Sequence, residues 1–236
     1  MSWTYEWATG LRTLRSLESF LKLVSHAGLS LPKGGMVNGT SAYEPRKGTG
    51  AALSGESVPP GAWALIRFWR KAGPSLWFAK DDAFDREFRE RFLDLHEAAL
   101  RGDLRAWLSS PEGALALVLL LDQFPRNAFR GSARMYASDA RAREAADAAI
   151  AAGHDRKVEE SLQVFFYLPL GHSESLADQE RCVALSERLG EPNLSHARGH
   201  RDIIERFGRF PHRNAILGRD TTPDERKYLD EGGFAG

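Results

Sequence analysis

The stretch LLLDQFPRNAFRG, Leu119 to Gly131, returns in altered form as FGRFPHRNAILGR, Phe207 to Arg219, and between them stands LPLGHSE, Leu168 to Glu174. These three segments hold the side chains best suited to chemistry. His172 and His212 are groups that can transfer a proton near neutral pH, and Asp122 is a candidate general base beside them. Arg126, Arg130, Arg209 and Arg213 supply planar guanidinium forks of the kind that recognise carboxylate or phosphate, with Arg219 close behind. Glu174, Asn127 and Asn214 add a carboxylate and two amides as further ligand-binding candidates. Together they suggest a pocket for an anionic small molecule.

Each of these residues also has a purely architectural use. Asp122 ends a very apolar run, where the helix macrodipole disfavours a negative charge by about 0.3–1 kcal/mol, so it needs a cation. Arg126, Arg130 and Arg213 are available, and an ion pair would lock the exit turn. Gln123, Asn127 and Asn214 are amides of a type that binds free backbone groups in turns. Ser173 or Ser175 can cap the following helix, with Glu174 or Asp178 in its first turn. Capping leaves His172 unexplained. A metal site built from His172, His200 and His212 with Glu174 or Asp178 lacks an HExxH or comparable spacing, so no metal is assigned. No cofactor is indicated either.

The elements that must position these groups read as helices. An amphipathic helix runs from Asp81 or Asp82 to Gly102, with Phe84, Phe88, Phe92, Leu95 and Ala99 on one face. Ser110 and Pro111 open SSPEGALALVLLLDQFP, apolar nearly all round, which is the expected central helix. Further helices start at Ser138 and end at Gly153, stop at Pro169, stop at Gly190 and stop at Gly208, and Thr222 caps a short one from Pro223. Short connections favour antiparallel neighbours, so alternate helices would end together, at Gln123, Leu168 and Phe207. Proline is expected to end these helices, since it lacks the amide donor. Both Phe-Pro motifs and LPLGHSE would then meet on one rim. The fold class is all-α, an antiparallel helical bundle or array.

Composition narrows the classes of function. Lys plus Arg and Asp plus Glu balance at 32 each, which leaves no basic footprint for nucleic acid, and no apolar run is long enough to span a bilayer. One cysteine, Cys182, rules out an internal disulfide framework and suits a reducing cytosol, as a small buried helix residue. Trp63, Trp69, Trp77 and Trp107 read as packing residues rather than a stacking platform. Residues 1–60 form a separate region: an N-terminal helix with Trp3, Trp7, Leu11, Leu14, Leu17, Leu21 and Val24 on one stripe, then a Gly/Pro-rich flexible linker from Gly28 to Pro60. A single all-helical domain occupies 61–236.

The segments RFWRKAGPSLWFAKDDAFD, PEGALALVLLLDQFPRNAFRG, FFYLPLGHSESLADQE and FGRFPHRNAILGR resemble a bacterial family, domain of unknown function 924, from about Ile66 to the C-terminal EGGFAG. The resemblance implies an all-helical, tetratricopeptide-like fold and implies no reaction. This chain shows no clear repeat of tetratricopeptide length. Two functions follow from the residues. One is a small-molecule enzyme or metabolite-binding protein with an Arg/His-rich pocket for an anionic ligand; the other is a tetratricopeptide-like scaffold for a peptide or protein. The oligomeric state is not encoded in any readable feature.

Overall fold

The computed structural model describes residues 58–236, and the regular structure among them is helical throughout. The expected N-terminal helix and most of the expected linker lie outside the described residues. In chain order the helices are α1 (Pro60–Ala72), α2 (Pro74–Trp77), α3 (Asp82–Arg101), α4 (Pro111–Leu121), α5 (Gln123–Ala128), α6 (Asp139–Ala151), α7 (Glu160–Gly171), α8 (Leu176–Ser186), α9 (Asn193–Phe207) and α10 (Pro223–Asp230). Short 3-10 turns at Arg105–Ser109, Ala133–Tyr136 and Pro211–Arg213 join some of them.

The helix starts follow local chemistry. Asp81 caps α3 by accepting from the amides of Ala83 and Phe84, and Ser110 caps α4 by accepting from Gly113. Thr222 and Glu225 form a reciprocal capping box on α10. Gly102 closes α3 at φ 86°, a left-handed conformation that a side chain would strain.

Helix α4 is the centre, as its apolar circumference requires. Its residues from Gly113 to Leu121 are all buried, and α1, α3, α6 and α7 pack around it. Aromatic rings of α1 and α3 fill one side: Phe68 stacks on Phe84 and Phe88 at 5.2 and 5.3 Å, and Trp69 meets Phe165 of α7 edge-on at 5.3 Å. Each fully buried ring or leucine here stabilises the fold by about 1.5–3 kcal/mol relative to its exposure to water. Beyond this core α7, α8 and α9 pack in sequence, and a smaller cluster of Ile203, Ile204 and Phe210 forms beside α9 with Phe207, Tyr228 and Phe234 against it. Trp69, Trp77, Trp107 and Cys182 are buried packing residues, as expected. No described helix is long and apolar enough to cross a membrane.

The prolines depart from expectation. Pro211 does follow a helix, but Pro125 is the third residue of α5, and Pro169 lies inside α7, which continues to Gly171. Pro125 is tolerated because the first amides of a helix have no partner within it anyway. Pro169 sits in the last turn, where its missing donor costs one bond and only two residues follow. The relevant helices therefore end at Leu121, Gly171 and Phe207. Ser138 stands at the start of α6 as expected, and its hydroxyl donates to the Leu121 carbonyl at 2.6 Å rather than capping its own helix.

That hydrogen bond belongs to a set that closes the end of α4. The last carbonyls of a helix lack internal donors, and here side chains from elsewhere supply them. His96 Nδ1 donates to Leu120 at 2.8 Å, Ser138 to Leu121, and Arg126 Nη1 to the Asp122 carbonyl at 2.9 Å.

The start of α4 yields a stability prediction. A Cβ on Gly113 would stand 2.8 Å from the Ser110 hydroxyl and closer still to the Trp107 carbonyl, a backbone atom that cannot swing away. Gly113→Ala, which in an open helix would stabilise, is expected to lower stability by about 1–3 kcal/mol through overpacking. Urea denaturation of the two proteins measures this directly; equal or higher stability of the alanine variant would contradict it.

Candidate functional site

Asp122 is the residue between α4 and α5, and its side chain is 1% exposed. One carboxylate oxygen accepts from His172 Nδ1 at 2.8 Å and lies 3.1 Å from Arg126 Nη1; the other accepts from Gln123 Nε2 at 2.7 Å. Burial alone would raise its pKa, but Arg126 and His172 outweigh burial and bring it down to about 2. An ionised carboxylate only accepts, so His172 carries its proton on Nδ1 and presents a lone pair at Nε2. Burial and the nearby Arg126 lower the His172 pKa against the opposing pull of Asp122, which keeps the ring neutral. An oriented neutral imidazole of this kind is a competent base.

The arginines of the two Phe-Pro motifs meet here. Arg126 grips Asp139 at 2.9 and 3.2 Å while also pairing with Asp122. Arg213 donates from Nη2 to the His172 carbonyl at 3.0 Å and stands 3.6 Å from Asp139. Its guanidinium lies 4.6 Å from the ring centre of Tyr136 and 4.4 Å from that of Phe210. Arg126 approaches the same Tyr136 ring at 5.9 Å.

His200 of α9 and His212 complete the surroundings. The His172 and His200 rings are 6.3 Å apart, and His200 and His212 both pack on Phe210 and Phe234. Burial pushes each of these two histidines down to about 3, with cationic neighbours adding to it. Glu174 is committed elsewhere: it accepts from the Phe210 amide at 2.8 Å and from both terminal nitrogens of Arg219 at 2.8 and 3.1 Å. Burial would raise its pKa, yet Arg219 and the amide hold it below the usual range. Among the described residues no group of three His, Cys, Asp or Glu side chains is arranged to hold a metal ion.

Four of the expected ligand-binding residues point to other partners. Asn127 and Arg130 both bind Asp85 in the first turn of α3, Asn127 at 2.7 Å. Arg209 binds Glu225 of α10 at 2.6 and 2.9 Å, and Asn214 donates to the same carboxylate at 3.2 Å. The hydrogen bond from Arg209, with help from the Thr222 amide, brings Glu225 down to about 2. The repeated Phe-Pro-Arg-Asn thus divides its labour: both arginines converge on Asp139 and Tyr136, while each asparagine anchors a neighbouring helix.

Asp139 and Tyr136 were not legible as site residues. An acid in the first turn of a helix is ordinary dipole complementation, and a single tyrosine in SARMYASD carries no spacing signal.

Comparison with known proteins places these residues in a family. The family model described as bacterial protein of unknown function, DUF924, matches residues 65–233. The chain belongs to this family. It is similar, at 59% identity with a TM-score of 0.72, to the solved structure of a protein of unknown function, ATU0120 from Agrobacterium tumefaciens, covering 72% of this chain and 97% of that one. No curated protein matches it. Asp122, Arg126, Tyr136, Asp139, His172, His200 and Arg213 all fall within the matched residues.

Five described histidines are lowered by burial, His172, His200 and His212 at the site and His96 and His196 outside it, and together they set a pH dependence. Unfolded, each takes a proton near pH 6.5; folded, His200 and His212 resist until about 3, so stability falls as pH drops below 6.5. Asp122 and Glu225 act in a different window, because their contribution is lost only as pH falls from about 4 through about 2. Between pH 6.5 and 4.5 the slope should therefore be histidine-driven, up to about 1.4 kcal/mol per pH unit for each group. Melting curves at pH 7.5, 6 and 5 should show a falling Tm, and His200→Gln should flatten it; a Tm independent of pH in this range would refute the assignment.

Proposed function

We propose that this chain is a small-molecule enzyme in which His172, oriented by Asp122, gives or takes a proton at Nε2 while Arg213 and Arg126 fix an anionic part of the substrate. The observation that carries the reading is the 2.8 Å hydrogen bond from His172 Nδ1 to a carboxylate that is itself buried and ionised. The neutral His172 adds no charge to the turn, where the charge of Asp122 is met by Arg126, shared with Asp139, so charge balance does not explain the histidine. What the histidine adds is a tautomer: Asp122 holds the proton on one nitrogen and leaves the other basic, the arrangement that a proton-transfer group requires. The histidine side chain keeps 15% of its surface exposed, whereas Asp122 is sealed.

We prefer this to a tetratricopeptide-like scaffold, because a groove for an extended peptide would not require a carboxylate-imidazole pair in its wall. A reducing cytosol is the compartment that fits the proposal. The single thiol, Cys182, is buried, and burial pushes it up to about 11, so it is protonated and inert there.

Two variants separate the roles. Asp122→Asn should cost about 3 kcal/mol of stability, because it leaves Arg126 and His172 without their shared charge, and should let the His172 proton redistribute between its two nitrogens. His172→Gln should leave the fold cooperative and cut turnover roughly 10²–10⁴-fold on any substrate found by incubating the protein with a metabolite mixture. Nitrogen-15 NMR of the imidazole at pH 7 tests the premise without a substrate. A protonated ring, or a proton on Nε2, would sink the proposal.

A further inference from the structure

The second Phe-Pro motif contains buried nitrogens that nothing among the described residues satisfies. Nδ1 of His212, Nε of Arg213 and Nε of Arg219 are buried without a hydrogen-bond partner. An arginine Nε can only donate, so two of the three are donors lacking an acceptor. Buried polar groups are paired in the great majority of cases, which makes several such atoms within eight residues of chain a feature to be explained. Arg213 is the clearest case. It is buried, its hydrogen bond goes to a neutral carbonyl, and its nearest carboxylate, Asp139, is already gripped by Arg126 at shorter distances. Burial and Arg126 lower its pKa, whereas Asp122 and Asp139 overcome burial to raise that of Arg126.

The local charge count then limits what can bind. Arg126, Arg213 and Arg219 face Asp122, Asp139 and Glu174, and the three histidines are neutral at pH 7. There is no surplus of positive charge to hold a dianion. What is in surplus is donor capacity on planar guanidinium groups, flanked by the aromatic faces of Tyr136 and Phe210 at 4.6 and 4.4 Å.

Resting on the acid-base reading above, we infer that the substrate is a carboxylate monoanion with an apolar or aromatic body: its carboxylate accepts from the guanidinium groups of Arg213 and Arg219, and its body lies against Tyr136. A carboxylate is planar and takes parallel N–H donors from arginine. Tyr136 is assigned as a positioning residue, since its ring lies beside Arg213 and also within reach of Arg126. Phosphate monoesters are disfavoured because the local charges already balance, so a dianion would add two uncompensated charges beside Asp122, Asp139 and Glu174 where a carboxylate adds one.

Arginine Nε–H signals in nitrogen-15 NMR test this directly, with acetate and benzoate as probes, inorganic phosphate and sulfate as competitors, and chloride at matched ionic strength as the reference. Benzoate should displace the Arg213 and Arg219 signals saturably and more tightly than acetate, while phosphate and sulfate do no more than chloride. Arg213→Lys keeps the charge but removes the Nε donor, and should weaken benzoate at least about tenfold. Should that variant fail to fold, Arg219→Lys, which retains a cation for Glu174, should weaken it in the same direction. Tyr136→Leu should weaken benzoate but not acetate. Preference for phosphate or sulfate, or no saturable displacement by either carboxylate, would overturn the inference. The His172 imidazole signals in the same samples tell the two claims apart: a neutral Nδ1–H ring without carboxylate binding removes only the substrate class, whereas a protonated ring removes the acid-base reading beneath it.

Discussion

A carboxylate buried at the end of the most apolar helix is the constraint on which the surrounding structure turns. Asp122 cannot be left unpaired there, since an isolated charge in a dry interior costs several kcal/mol, so its partners must be held in place by the fold. Gln123 and Arg126 come from α5, which begins at once after Asp122, and His172 comes from the end of α7. One side chain therefore fixes where α4 and α7 end and where α5 begins relative to one another. The carbonyls of Leu120, Leu121 and Asp122 extend the same knot through His96, Ser138 and Arg126.

From that point the order spreads into the C-terminal region by shared partners. Arg213 holds the backbone of His172, and Glu174, two residues on, binds both the Phe210 amide and Arg219. Phe210 is thereby drawn into contact with His200 and His212, which explains why imidazoles that would ordinarily titrate near neutrality are kept uncharged. Asp85 and Glu225 are separate anchors. They take up Arg130 with Asn127 and Arg209 with Asn214, so the rim is a small centre flanked by two staples rather than one continuous pocket of arginines.

Much of this was legible in the residues. Cap chemistry at Asp81, Ser110 and Thr222 marked helix starts because a cap is a contact between near neighbours, and the all-apolar circumference of α4 announced a central helix. The meeting of Asp122, His172 and Arg213 followed from helix alternation, even though the helix ends moved by a few residues. Partner choice was not legible. Asn127 and Asn214 occupy equivalent places in nearly identical motifs, yet they serve carboxylates on different helices, which only tertiary packing decides. Pro125 and Pro169 misled for a related reason, since a proline ends a helix only where the lost amide would otherwise be bonded and the chain has further to run.

The contrast between the two converging arginines bears on why the site exists at all. Arg126 is accounted for by stability: two carboxylates surround it and raise its pKa despite burial. Arg213 is not. It sits between two aromatic rings with a carbonyl as its hydrogen-bond partner, Asp139 at 3.6 Å and Arg126 for a neighbour, and burial and that neighbour lower its pKa. A methionine or leucine in the same slot would fill the space between Tyr136 and Phe210 without the cost of desolvating a cation beside another cation, and replacements of that kind are commonly neutral or stabilising in other proteins. Cation–π contact with two rings, about 0.5–2 kcal/mol for each, and the more distant Asp139 offset part of that cost but leave the buried Nε donor without an acceptor. Retaining a buried guanidinium with an unsatisfied donor is reasonable when something arrives to accept from it. The donor that is unpaired in the protein alone is then paired in the complex, which is how a binding group differs from a structural one.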